Sequence, residues 1–209
     1  MKLAAHIQLP KSRWVSRPTR CSIEPRGEFW TDRELLLLGE GSDTKYELWD
    51  GEIIAMPPAR PKHGLVIMQL AYFLSDYLQT HRTGNLFDGQ TGFRLCIEHC
   101  FEPDISFVSH EHLKLILPHG DLDGMFHGGP DLAVEVLSPS DSITKTERKM
   151  LLYLAYGTRL AWMVDPKNKT VRVYRPGENF ELLRGDRFLT GNSVLPGFKV
   201  SLAKFFEGI

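Results

Sequence analysis

The spacing of apolar residues changes several times along the chain and predicts a mixed α/β protein. From about His63 to Thr80, apolar residues recur at the density of a helix that packs on a sheet. Shorter runs predict strands near residues 85–87, 92–96 and 104–108, and then at PDLAVEVL, LAWMVD and VRVYR. FELLR, RFLT and FKVSL predict extra β-hairpins toward the C-terminus. This order predicts a mixed central sheet flanked by helices.

Capping residues predict where two further helices begin. Thr31 and Glu34 have the spacing of a capping box in front of a short helix. Thr144 and Glu147 have the same spacing, and they predict a helix over TKTERKMLLYLAYG that ends at Gly157.

A dipeptide of aspartate and glycine separates two short strand-like runs. Asp50 and Gly51 lie between YELW and EIIAM. This pair is suited to a tight primed turn, so the segment predicts a β-hairpin.

Two predicted strands each carry one acid in an apolar run. Side chains alternate along a strand, so Glu135 shares a face with Asp131, opposite a wholly aliphatic face. Asp104 stands at the start of the run ISFV. An unpaired buried charge costs several kcal/mol. If the two strands pair, Asp104 and Glu135 could share one divalent cation, whereas each acid alone could instead be capping amides or forming a structural ion pair.

Lys149 lies on a stripe of the predicted helix that faces the protein. Leu152, Tyr153 and Tyr156 share this stripe at helical spacing. The lysine therefore either reaches solvent at the edge or pairs with an acid inside, and Glu135 on the preceding strand is the nearest candidate.

Several segments, taken in order, resemble the PD-(D/E)xK phosphodiesterase superfamily, and more closely its Uma-two branch of restriction-endonuclease-like proteins. The segments are YELWDGEIIAMPP, EPDISFV, PDLAVEVLSPSD, RKMLLYLAYG, LAWMVDP, VRVYRP and LPGFKVSL. The resemblance runs from about residue 31 to the end of the chain, and it implies a restriction-endonuclease-like fold.

The resemblance also implies roles for particular residues. Asp104 matches the motif aspartate, Glu135 the motif glutamate, and Glu47 an additional acid near the site. The superfamily places its lysine two residues after the glutamate, where this chain has Leu137, but the branch places a lysine where Lys149 stands. Glu47 could instead face water on its hairpin strand. His63, near a predicted helix start, is expected to be a cap-region residue and not a catalyst, although the branch tends to place a histidine there.

These roles imply a divalent-metal-dependent DNA endonuclease. Asp104 and Glu135 would bind Mg²⁺ or Mn²⁺, and Lys149 and Glu47 would complete the catalytic set. A homodimer is expected by analogy with enzymes that cut two strands with two copies. The alternative is a non-catalytic module on the same fold that binds nucleic acid or another protein.

Length and composition set limits on the organisation and class of the protein. The 209 residues suffice for one domain, expected over 30–209, after a basic, loosely ordered arm over 1–29. The net charge of −1 argues against tight, passive DNA binding but allows a local basic patch. No apolar run reaches the length of a membrane span, and the three cysteines are expected in a reducing cytoplasm.

The segment CIEHC contains two cysteines and a histidine. Structural zinc usually takes four ligands from paired motifs, and the sequence offers no matching second pair. We therefore expect a turn between two strands.

Overall fold

The computed structural model describes residues 27–40, 44–117 and 122–209, and a six-stranded sheet forms its centre. Parallel pairing joins β8 to β9, and the other neighbours in this sheet are antiparallel. In spatial order the strands are β11 (Glu181–Leu183), β10 (Thr170–Tyr174), β9 (Leu160–Asp165), β8 (Leu132–Val136), β6 (Ile105–Ser109) and β3 (Gly84–Asp88).

Two smaller sheets accompany the central one. The second sheet is built in the order β2 (Glu52–Met56), β1 (Lys45–Trp49), β5 (His99–Phe101), β4 (Phe93–Cys96) and β7 (Phe126–His127). The third is a hairpin of β12 (Phe188–Gly191) and β13 (Leu195–Ser201). This hairpin, together with the antiparallel pair of β10 and β11, confirms the extra β-structure predicted toward the C-terminus.

Helices lie on both faces of the central sheet, as the predicted α/β class requires. The described helices are α1 (Asp32–Gly39), α2 (Pro61–His81), α3 (His110–Ile116), α4 (Ile143–Ala155) and α5 (Leu202–Phe205). Leu132 and Val134 of β8 pack in one cluster with Leu70 of α2. Ala133 packs in another cluster with Tyr153 of α4. Side chains alternate along a strand, so Glu135, two positions after Ala133, also faces α4.

The local predictions at the first helix and the first hairpin are confirmed. Thr31 and Glu34 form the capping box of α1, with both reciprocal hydrogen bonds present. Asp50 and Gly51 connect β1 to β2 with φ values of 50° and 79°. Positive φ at both central positions is the requirement of a type I′ turn.

The predicted start of α4 is wrong by two residues. Ser142, not Thr144, is the N-cap, and its side chain accepts a hydrogen bond from the backbone N–H of Lys145 at 3.4 Å. Glu147 does not close a capping box, because its carboxylate forms an ion pair with Arg172 of β10. Both hydroxyl residues suit an N-cap, and the helix begins after the first of them.

Three further sequence predictions concern the segment CIEHC, the N-terminal arm and membrane-spanning helices. CIEHC forms the turn between β4 and β5, with Cys96 paired opposite His99. The predicted arm lies outside the described residues except for residues 27–29, so the division into an arm and one domain stays a prediction. Within the described ranges, no helix is both long enough and apolar enough to cross a membrane.

Candidate active site

Two acids lie side by side at one end of strands β6 and β8. The strands are antiparallel, with Ile105 opposite Val134. Asp104 directly precedes the first of these residues and Glu135 directly follows the second, so the two acids are neighbours. The backbone N–H of Val136 donates a hydrogen bond to Oδ2 of Asp104 at 2.7 Å, which fixes the position of this carboxylate.

Lys149 bridges acids from the two larger sheets. Its Nζ donates to Oε1 of Glu47 at 2.5 Å and lies 2.7 Å from Oε1 of Glu135. Glu47 belongs to β1 and Glu135 to β8, so a lysine of α4 joins the sheets at this point. Glu47 is only 2% exposed, which excludes the alternative that it faces water. The structure thus brings all four predicted site residues together.

Glu47 is held in place by donors other than Lys149. The indole Nε1 of Trp49 donates to its Oε2 at 3.0 Å, and the backbone N–H of Glu102 donates to its Oε1 at 3.2 Å. Burial opposes ionisation of this carboxyl, but Lys149 and Lys45 more than offset it and hold the pKa of Glu47 below its ordinary value. Glu47 is therefore an ionised, fixed acid.

Glu135 has the opposite electrostatic balance. Burial raises its pKa to about 7, and the nearby charges of Asp104 and Glu47 add to this effect, against the attraction of Lys149. Burial also disfavours the ammonium of Lys149, yet the two glutamates more than compensate and hold the pKa of Lys149 above its ordinary value. The lysine is consequently a permanent cation at neutral pH, whereas Glu135 can gain or lose a proton there.

Tyr153 contacts Glu135, although it was not predicted to be a site residue. Its hydroxyl donates to Oε1 of Glu135 at 2.9 Å, and the side chain is fully buried. Tyr153 lies four residues after Lys149, so both side chains project from the same face of α4. A lysine and a tyrosine at this spacing, following a strand that carries an acid, were the available signal.

His63 contacts Asp104, a contact that the sequence did not predict. Its Nε2 lies 3.2 Å from Oδ2 of Asp104, near the start of α2. Burial opposes the ionisation of Asp104, but the bond to His63 and the N–H of Val136 help to keep the pKa of Asp104 below its ordinary value. The pKa of His63 is raised, because the pull of Asp104 exceeds the effect of burial. Asp104 is therefore charged at neutral pH.

Glu102 is a second residue of this region that the sequence analysis did not single out. Burial raises its pKa to about 7, and Glu47 adds to this, while Lys45 acts in the opposite direction. Nζ of Lys45 donates to the backbone carbonyl oxygen of Glu102 at 2.6 Å. Its place two residues before Asp104, on the same side of an extended chain, was the available signal.

The donor set at this end of the sheet suits a hard divalent cation. Among the described residues, the contacts to Asp104 end on Oδ2 and those to Glu135 end on Oε1, so the second oxygen of each carboxylate could accept a ligand. Carboxylate oxygens are the ligands that Mg²⁺ and Mn²⁺ prefer, with water completing the coordination. In the described parts of the chain, no group of three or more His, Cys, Asp or Glu side chains is arranged to hold a metal ion.

The mixed α/β fold and this cluster of acids and a lysine can now be compared with known proteins. The family model of Uma2, described as a putative restriction endonuclease, matches residues 31–203. The chain belongs to this family.

A solved structure shares the fold. It is the crystal structure of a putative nuclease belonging to DUF820 from Anabaena variabilis, with a TM-score of 0.69 and 25% sequence identity. The match covers 82% of this chain and 95% of the other. The comparison with curated proteins gave no match. Family and neighbour together support a nuclease-like role.

Proposed function

We propose that the protein is a divalent-metal-dependent DNA endonuclease that hydrolyses phosphodiester bonds. Asp104 and Glu135 would hold Mg²⁺ or Mn²⁺, and Lys149 and Glu47 would complete the catalytic set. The observation that carries the proposal is the burial of Lys149 between Glu47 and Glu135, with Asp104 beside them.

The cost of this cluster supports a functional role. Asp104, Glu47 and Glu135 share with Lys149 a region that is largely removed from water, and Lys45 also acts on Glu47 there. Such a concentration of buried charged groups is unfavourable in a protein interior, and a bound cation would favour the ionised form of Glu135. The pKa of Glu135 is raised for the same reason, because burial and then its acidic neighbours disfavour the ionised carboxylate.

The charge state of each residue would determine its role in catalysis. The metal, when bound, would supply Lewis acidity that activates water and offsets charge on the phosphate. Lys149 stays protonated, so it would orient the attacking water or donate to a phosphate oxygen instead of accepting a proton. Glu47 and Tyr153 would position Lys149 and Glu135 through the bonds described above.

The proposal extends to the substrate, the oligomeric state and the cellular compartment of the protein. DNA would be the substrate, held by local cations since the whole chain has a net charge of −1. Two copies would act together as a homodimer, one for each strand. A reducing cytoplasm would suit the two described cysteines, Cys96 and Cys100, which are free.

Cleavage of several DNA forms tests this proposal. Supercoiled, linear duplex and single-stranded DNA are incubated with and without Mg²⁺ or Mn²⁺, and products are resolved by electrophoresis. We expect cleavage only with metal, and a loss of at least about 100-fold in Asp104→Asn and Glu135→Gln, because each removes one of the two protein ligands.

Glu111→Gln is the matched control, since it removes an exposed acid on α3, at the other end of β6. Cleavage at the wild-type rate by Asp104→Asn and Glu135→Gln would remove these residues from the mechanism.

A non-catalytic binding module is the second candidate. The observation that favours it is the ion-pair bridge itself, because Lys149 already compensates Glu47 and Glu135 and could serve only to join two sheets. Calorimetric titration with Mn²⁺ separates the two functions. Binding that is lost in Asp104→Asn supports the endonuclease, whereas no binding at millimolar Mn²⁺ leaves the module as the better account.

A further inference from the structure

Lys145 lies at the edge of the proposed active site, one helical turn before Lys149. The four-residue spacing puts both side chains on the same face of α4. Nζ of Lys145 stands over the ring of Trp49, 4.6 Å from its centroid. The indole of Trp49 in turn donates to Glu47. A cation–π contact to a ring fixed by the acid cluster thus holds the ammonium of Lys145 in place.

The other cations in this region already have oxygen partners. Lys149 is engaged by Glu47 and Glu135, and Lys45 donates to the carbonyl oxygen of Glu102.

Arg148, the next residue but two after Lys145, is engaged as well. Its guanidinium donates two hydrogen bonds to Asp50, at 2.7 and 2.5 Å. Bidentate pairs of this kind are strong and geometrically fixed. Arg148 is therefore not free to bind a ligand on this face of α4.

Lys145 differs from these cations. Among the residues that the structure describes, no carboxylate or carbonyl oxygen lies within ion-pair or hydrogen-bonding distance of its ammonium. The side chain is partly buried. Glu47, Glu135 and Asp141 attract its charge from a distance, while Lys149 repels it. A partly dehydrated ammonium without an anion in contact is an unfavourable arrangement, which a bound anion would improve.

We propose that Lys145 binds a non-bridging phosphate oxygen of the nucleic-acid backbone beside the phosphodiester bond that is cut. The inference rests on the proposed endonuclease function and names a substrate contact for it. An ammonium is a compact point charge that suits a single phosphate oxygen. Four residues of helix rise about 6 Å, so Lys145 reaches a neighbouring part of the backbone and not the oxygen that faces Lys149.

Binding of fluorescently labelled duplex DNA, followed by anisotropy with Ca²⁺ in place of Mg²⁺, tests the contact at several salt concentrations. We expect Lys145→Gln to weaken binding about fivefold to tenfold, equally for unrelated sequences, and to lower the slope of log K against log salt by about one. Lys145→Arg should restore both quantities. Lys114→Gln, which removes an exposed lysine on α3, should change neither.

Thermal unfolding and Mn²⁺ calorimetry of the same variants separate a phosphate contact from damage to the fold or the metal site. Unchanged Tm and unchanged Mn²⁺ affinity in Lys145→Gln, together with weaker DNA binding, support the inference. Wild-type affinity and salt slope in Lys145→Gln would overturn it, and so would absence of DNA binding by the wild-type protein.

Failure of the Lys145 contact and failure of the endonuclease proposal give different experimental results. DNA binding that depends on Lys145 in a protein that cuts no DNA would refute the endonuclease and leave Lys145 as a contact to the DNA backbone only. Metal-dependent cleavage with the same KM in wild type and Lys145→Gln would refute the contact and leave the endonuclease standing.

Discussion

Nζ of Lys149 lies 2.5 Å from Oε1 of Glu47, although the two residues are 102 positions apart in the chain. The lysine is on a helix that covers the six-stranded sheet, and the glutamate is on a strand of the five-stranded sheet. Both side chains are almost fully buried. This one contact therefore connects the two sheets and at the same time sets the charge of the candidate active site.

Removal of the lysine charge should destabilise the protein strongly. Lys149→Met leaves Glu47 and Glu135 buried without their cation, and breaking a buried pair in this way costs about 3–5 kcal/mol. Urea unfolding at pH 8 measures the effect. The double variant Lys149→Met/Glu47→Gln should recover part of the loss, because one uncompensated charge is gone. A loss below about 1 kcal/mol in Lys149→Met would show that the bridge is not a stabilising contact.

The stability of the metal-free protein should fall as the pH rises toward neutrality. Burial and then acidic neighbours raise the folded-state pKa of Glu135 to about 7 from an ordinary 4.5. The folded protein therefore binds more protons than the unfolded chain between these values, and stability decreases with pH across that window. The contribution is fully present below about pH 4.5 and is lost as the pH passes about 7.

Chemical unfolding of wild type and Glu135→Gln between pH 4.5 and 8, with a chelator present, measures this dependence. The glutamine cannot ionise, so its curve should be flatter over the window than that of the wild type. Parallel curves for the two proteins would contradict the assignment to Glu135.

His63 should matter to the proposed metal site although it is not a ligand in the proposal. His63→Ala removes the contact to Oδ2 of Asp104, which helps to orient this carboxylate and keep it ionised. Loss of a partner that orients a metal ligand typically costs about 10-fold to 100-fold in metal affinity. Mn²⁺ titration calorimetry checks this, with His81→Ala at the exposed end of α2 as the control. Equal Mn²⁺ affinity in His63→Ala and His81→Ala would show that His63 has no such role.

Asp131 should affect stability and not chemistry, even though it lies on the same face of the same segment as Glu135. Its carboxylate accepts hydrogen bonds from the backbone N–H of Ser109 at 2.6 Å and from Nε of Arg159 at 2.9 Å, at the opposite end of β8 from the site. Asp131→Ala leaves a part-buried amide without its acceptor, which costs about 1–3 kcal/mol. Urea unfolding measures this loss, and Mn²⁺ affinity below the unfolding transition should match the wild type. Weaker Mn²⁺ binding would mean that Asp131 reaches the site through the strand.

Patterns that repeat within one element were sufficient to predict that element. The apolar spacing between His63 and Thr80 predicted α2, which runs from Pro61 to His81. The turn at Asp50 and Gly51 was predictable because the residue types at its two central positions favour the positive φ values of this turn type.

Choices between equivalent local signals were not predictable. Ser142 and Thr144 both suit an N-cap, and the helix begins after the first of them. The competing signal was Glu147, which pairs with Arg172 instead of closing a capping box. The position of Arg172 depends on the pairing of β9 with β10, which no window around Ser142 contains.

The sequence by itself determined which residues could form the candidate site, since acids and a lysine in apolar segments need partners inside the protein. Alternation along β8 also determined that Glu135 lies opposite the aliphatic face. Only the tertiary structure decided which residues are the partners of these acids and of the lysine. The antiparallel register of β6 and β8 set Asp104 beside Glu135, and the packing of two sheets put Glu47 on Lys149. Charge states followed from that arrangement, because desolvation and Coulomb interactions act through space and not along the chain.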